Sequence, residues 1–155
     1  MLTLVLQGAA TAHASVVINN TRIIYPQDDK EVTVRLESKN QAPVLLQAWL
    51  DNGDEHSTPD LAGIPFVATP PVFRMEPGKQ QVVRLAYTGE TLPSGQESLF
   101  WFNLLEVPSQ PHGTQQSNQL QLAFRTRIKL FFRPSNLPYA AEAAPDPRLP
   151  ARIRA

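Results

Sequence analysis

The 155-residue chain carries 14 Lys and Arg against 14 Asp and Glu, with 15 Pro, 7 Gly and no Cys. A chain of this length supports one hydrophobic core. Balanced charge argues against the long-range field of a nucleic-acid or anionic-membrane binder, and the lack of Cys excludes a disulfide framework, a thiolate zinc site and a cysteine nucleophile. Proline at about twice its usual share, with glycine scarce, suits short strands and rigid turns better than long helices.

In chain order, residues 1–14 run from a short apolar stretch into the small-residue triplet Ala12-His13-Ala14. That pattern fits the tail of a secretory signal peptide, although no Lys or Arg precedes the apolar run and the run is short. The expectation is a signal-peptide remnant cleaved after Ala14, and hence export. No later stretch approaches the roughly 20 uninterrupted apolar residues of a bilayer span, so membrane insertion is not expected.

The body alternates apolar and polar residues in short runs, the pattern of half-buried antiparallel strands. Seven runs are predicted as strands: Val16 to Tyr25, Glu31 to Ser38, Val44 to Leu50, Phe66 to Phe73, Gln81 to Tyr87, Leu99 to Val107 and Gln119 to Phe132. The second is the cleanest, with Val32, Val34 and Leu36 on one face and Thr33, Arg35 and Glu37 on the other. Asn52-Gly53 is expected to supply positive-φ residues, and Glu76-Pro77-Gly78-Lys79 places Pro and Gly as a type II turn requires. Thr69-Pro70-Pro71 interrupts its strand and belongs at a sheet edge, where a cis bond can be accommodated. The economical packing is all-β, a seven-stranded immunoglobulin-like sandwich. Beyond Pro134 both periodicities fade, and residues 135–155, with Arg148, Arg152 and Arg154, read as a disordered tail.

Catalytic chemistry is not evident. His13, His56 and His112 lack metal-ligand spacing, and the polarity of Asp54-Glu55-His56 is that of an exposed loop. No nucleophile elbow, phosphate loop or dinucleotide fingerprint occurs, so neither an enzyme nor a cofactor is expected. Of the aromatic residues Trp49, Trp101, Tyr25, Tyr87 and Tyr139, core filling accounts for the first four.

The segment from Leu92 to Ser109 contains Glu97-Ser98-Leu99, Trp101, Asn103-Leu104 and Val107-Pro108-Ser109. It resembles the signature of periplasmic pilus-assembly chaperones of the chaperone–usher pathway, with Gly95 in place of the usual Asp, Asn or Ser. Further blocks that resemble the family are Gln47 to Leu50, Ala68 to Val72 with Arg74 to Gly78, Val83 to Leu85, and Arg127 to Pro134. The resemblance covers roughly Ser15 to Pro134 and implies the N-terminal immunoglobulin-like domain, residues 15–134, of a normally two-domain protein. The second domain is expected to be absent, with 135–155 a disordered or truncated tail.

The resemblance further implies binding of pilin subunits that lack one strand, and their delivery to an outer-membrane usher. Such subunits are complemented by a strand lent from the chaperone, a case of β-augmentation. The lending strand matches Gln119 to Phe132, with Leu120, Leu122 and Phe124 entering the subunit groove. Read from the pattern alone, these three residues fill their own core equally well. Arg22 and Lys129 match the positions that anchor the subunit's terminal carboxylate. Lys129 has the opposite parity from Leu120, Leu122 and Phe124, so strict alternation puts it on the other face unless a bulge or twist intervenes. The donor edge could also pair with a second copy. Two other readings stay open: an immunoglobulin-like adhesion or sugar-binding domain, which needs an exposed aromatic platform, and an inactive truncated remnant.

Overall fold

The computed structural model describes residues 15–61, 63–108 and 123–137. The expected signal segment, His13, His112, Tyr139, the donor residues Leu120 and Leu122, and the tail from residue 138 lie outside the described residues. Among the described residues nine strands form: β1 (Val16–Ile18), β2 (Arg22–Pro26), β3 (Val32–Ser38), β4 (Val44–Asp51), β5 (Phe66–Thr69), β6 (Val72–Met75), β7 (Gln80–Tyr87), β8 (Ser98–Pro108) and β9 (Phe124–Arg133). They build a four-stranded sheet of order β1-β3-β7-β5 and a five-stranded sheet of order β2-β9-β8-β4-β6.

The expectation of seven strands is corrected in two places, because two runs change sheet partway. Val16 to Tyr25 divides into β1, antiparallel to β3, and β2, parallel to β9. The polar Asn19-Asn20-Thr21 carries the chain across. Phe66 to Phe73 divides into β5, paired with β7, and β6, paired with β4. Pro70 and Pro71 have no N–H to continue a ladder, so the chain leaves one sheet there and enters the other. The Thr69–Pro70 bond is cis, and β5 and β6 are both edge strands, as the prolines require.

Strict alternation turns Val34 and Leu36 of β3, Val83 and Leu85 of β7, Leu46 of β4, Phe102 and Leu104 of β8, and Leu130 and Phe132 of β9 into the space between the sheets, where all are buried. Each fully buried side chain of this size stabilises the fold by roughly 1.5–3 kcal/mol. One end of this core is aromatic. Phe66 meets Phe100 edge-on at 5.0 Å and Tyr25 at 5.2 Å, and Tyr87 lies 4.7 Å from Phe132. The buried Tyr25 hydroxyl accepts from the Tyr87 N–H at 2.9 Å and lies 3.1 and 3.0 Å from the carbonyls of Asp29 and Lys30, to either of which it can donate. Burial pushes its pKa up, with the Tyr87 N–H partly offsetting that effect.

The turn at Glu76 to Lys79 forms as expected. Gly78 has φ +72° at its third position, and the Lys79 N–H donates to the Glu76 carbonyl at 3.2 Å. Of the pair Asn52-Gly53, only Gly53 takes positive φ. Asn52 does not, and its expectation is corrected, since Asp51 Oδ1 stabilises the bend by accepting from the Gly53 N–H at 2.7 Å.

Candidate functional site

β9 is flanked unequally. On one side it pairs with β8 without interruption from Phe124↔Glu106 to Phe132↔Ser98. On the other, β2 pairs only with Lys129 to Arg133, because the chain before Arg22 still belongs to the other sheet. Among the described residues, Phe124 to Ile128 therefore present one unpaired strand edge. An edge of this kind is a template for another chain.

Arg22 is the first residue of β2 and is the register partner of Lys129. The structure brings these two predicted residues together as exposed cations at the point where β2 stops filling the slot beside β9. Phe124, the described member of the predicted donor set, is half-buried and shares a face with Leu130 and Phe132. The uninterrupted β8–β9 register contains no bulge, so Lys129 stays on the opposite, outer face. The two sets of residues serve two faces of one strand.

The outer face also carries a polar network that sequence reasoning missed. Asp51, at the end of β4, is fully buried and accepts from Asn103 Nδ2 at 2.7 Å, Ser57 Oγ at 2.8 Å and Arg127 Nη2 at 2.8 and 3.1 Å. Burial by itself would raise its pKa. The hydrogen bonds from Asn103, the Gly53 N–H, Ser57 and Arg127 outweigh that and hold the carboxyl below the usual range, so it is anionic at neutral pH. Asn103 Oδ1 accepts from Arg125 Nε at 2.9 Å, Arg125 Nη2 at 2.7 Å and Arg127 Nε at 3.1 Å. Ser57 Oγ accepts from Trp49 Nε1 at 3.1 Å and from Arg125 Nη2 at 2.9 Å.

The tryptophans correct another expectation. Tyr25 and Tyr87 do belong to the inter-sheet core, but Trp49 and Trp101 do not. They share strand parity with Asp51 and Asn103, opposite to the core residues on the same strands. Arg125 Cζ lies 5.0 Å from the Trp49 ring, Arg127 Cζ 4.7 Å and Lys129 Nζ 5.5 Å from the Trp101 ring. The rings serve as seats for cations, so the open aromatic platform that a sugar-binding reading needs is occupied. Parity within Trp49-Leu50-Asp51 and Trp101-Phe102-Asn103 was the sequence signal available for this arrangement.

Arg22, Arg125, Arg127 and Lys129 thus line one end of the face, and among the described residues Asp51 is the one carboxylate that ion-pairs with any of them. The excess of positive charge suits an anion arriving at the Arg22–Lys129 pair. Trp101→Leu is expected to free the Lys129 ammonium and lower affinity for such an anion about tenfold with little change in melting temperature, as titration of the purified variant would measure.

Two facing sheets, one with an unfinished edge beside two exposed cations, define an immunoglobulin-like sandwich. Residues 15–138 match the family described as pili and flagellar-assembly chaperone, PapD N-terminal domain, and the chain belongs to that family. It is 49% identical over 140 residues to the probable fimbrial chaperone YadV of Escherichia coli K12, across 88% of this chain and 57% of the relative. Among solved structures, the SafB chaperone, crystallised with the SafA pilin of Salmonella enterica, is 30% identical with a TM-score of 0.69, covering 82% of this chain and 58% of that one. The periplasmic chaperone SfaE is 32% identical with a TM-score of 0.67, covering 84% and 63%. The chain spans little more than half the length of these proteins. The family is one of chaperones, not enzymes.

Proposed function

We propose that this chain is the subunit-binding domain of a periplasmic chaperone that holds pilin subunits by lending them a strand, for delivery to an outer-membrane usher. The observation that carries this reading is the end of β2 at the Arg22–Lys129 pair. A guest strand entering the open slot beside β9 abuts β2, so its last residue meets the two cations. Its carboxylate points toward the start of β2, and β2 runs parallel to β9, so the guest also runs parallel to β9. Main-chain hydrogen bonds along Phe124 to Ile128 would continue the sheet into the subunit. The complex of SafB with a pilin supports the same class of partner here.

The two faces divide the work. Leu120, Leu122 and Phe124 alternate so that all three can enter an apolar groove, and burying three such side chains gains roughly 5–9 kcal/mol before association costs. Arg22 and Lys129 supply register, because a fork and a point charge fix where the guest chain ends. Leu122→Asp is expected to weaken capture of a strand-deficient pilin about 100-fold, since a carboxylate replaces an apolar side chain in the groove. Co-purification of the pilin with the variant measures this, and undiminished recovery would overturn the role given to the donor strand.

A further inference from the structure

Glu106 takes no part in the site above, yet it is a carboxylate only 6% exposed, turned inward near the end of β8. Its register partners are apolar, Leu46 of β4 and Phe124 of β9. Among the described residues, no Lys or Arg lies within ion-pair distance of it. Its contacts come from the start of β1. The Ser15 hydroxyl donates to Oε1, and the Val16 N–H donates to Oε2 at 3.3 Å. Burial pushes the carboxyl above its ordinary range, and the backbone of Val16 and Ser15 offsets only part of that. A buried anion without a cation is costly, so this corner of the fold is incomplete as an electrostatic unit.

Ser15 is also the residue that follows Ala12-His13-Ala14. Hydrolysis of the Ala14–Ser15 bond by a signal peptidase adds water across the amide, leaving a carboxylate on Ala14 and an α-amine on Ser15. That amine has an ordinary pKa of about 7.7–8.0 and is largely protonated at neutral pH. The Ser15 nitrogen is three bonds from its Oγ, hence within about 4 Å of an atom already touching the Glu106 carboxylate. The residue is held in place independently, since its carbonyl accepts from the Lys39 N–H at 2.7 Å and Val16 pairs with Ser38. We propose that removal of residues 1–14 creates at Ser15 an α-ammonium that ion-pairs with Glu106 and locks β1 into the sandwich. The neutral amide of the unprocessed chain cannot form this pair, so the domain reaches full stability only once its leader is gone. β1 leads through Asn19-Asn20-Thr21 into Arg22, so the same lock steadies the approach to the proposed carboxylate site. The inference does not depend on the partner proposed above.

Mass spectrometry of the exported protein is expected to find Ser15 as the first residue; a different first residue overturns the proposal. The chain beginning at Ser15 is then compared by thermal unfolding with the same chain acetylated at its amine. The free amine is expected to raise the melting temperature by about 4 °C, and Glu106→Gln is expected to remove that difference. No difference in the wild-type chain, or an equal one in the variant, overturns it. One further arm avoids the Glu106 variant altogether: a single Ala added before Ser15 displaces the ammonium by about 3.8 Å. It should lower melting as acetylation does, and unchanged melting overturns the pairing.

Discussion

Arg22→Ala is expected to abolish retention of a pilin subunit while the free domain still melts within about 1 °C of the parent, as expected for a surface substitution. The side chain is exposed, and the β2–β9 ladder needs only its backbone. What disappears is the fork that, in the proposed function, receives the guest's terminal carboxylate. Truncating one partner of a hydrogen-bonded charge pair at an interface costs about 2–5 kcal/mol, or roughly 30- to several-thousand-fold in affinity. Lys129→Ala should act in the same direction. The double variant should lose less than the sum of the two losses, because both cations hold one group. Arg22→Lys keeps the charge without the fork and should restore binding only in part. Titration with a peptide copied from the subunit's final strand reads these effects, and its amidated form, which lacks the carboxylate, should bind the parent as weakly as the free acid binds Arg22→Ala. Equal binding of acid and amide by the parent would remove the carboxylate from the account.

The second large effect concerns stability. Asp51→Ala leaves Arg127 and Arg125 without their carboxylate and Asn103, Ser57 and the Gly53 N–H without their shared acceptor. Removing one partner from a buried charged network destabilises by about 3–5 kcal/mol, measurable by urea unfolding. The same group sets an acid limit. Its folded pKa lies below its unfolded value, so its stabilising contribution is complete above the unfolded pKa and is lost as pH falls through the folded one. Unfolding free energy should decline below about pH 4 in the parent and more gently in Asp51→Ala. Glu106, raised while the Ser15 nitrogen is uncharged, acts with the opposite sign, since its protonation on acidification relieves a buried charge. A parent and Asp51→Ala with parallel acid profiles would show that Asp51 is not the group responsible. Because Arg127 and Lys129 share the Trp101 ring, Asp51→Ala should also weaken carboxylate binding.

Much of this was readable in advance. Alternation in Glu31 to Ser38 named Val34 and Leu36 as core and Arg35 as surface, and both assignments hold because one face of that strand meets the opposing sheet. The turn at Pro77-Gly78 was legible because its chemistry is local. The change of sheet within Val16 to Tyr25 was not, since nothing in three polar residues states which sheet the next strand joins. Trp49 and Trp101 were misplaced for a related reason. Size and apolarity suggested core, but parity had already assigned them to the outer face, where guanidinium groups cover them.

By itself, the sequence determined which side chains share a face and where the chain turns, and it carried the resemblance from which the roles of Arg22, Lys129 and Phe124 are proposed. The tertiary structure alone decided that β2 lies beside β9, that it begins opposite Lys129, and that Asp51 holds the neighbouring arginines. Alternation has a period of two and specifies a face. It specifies neither a neighbour nor a register, which are settled by pairing between strands far apart in the chain.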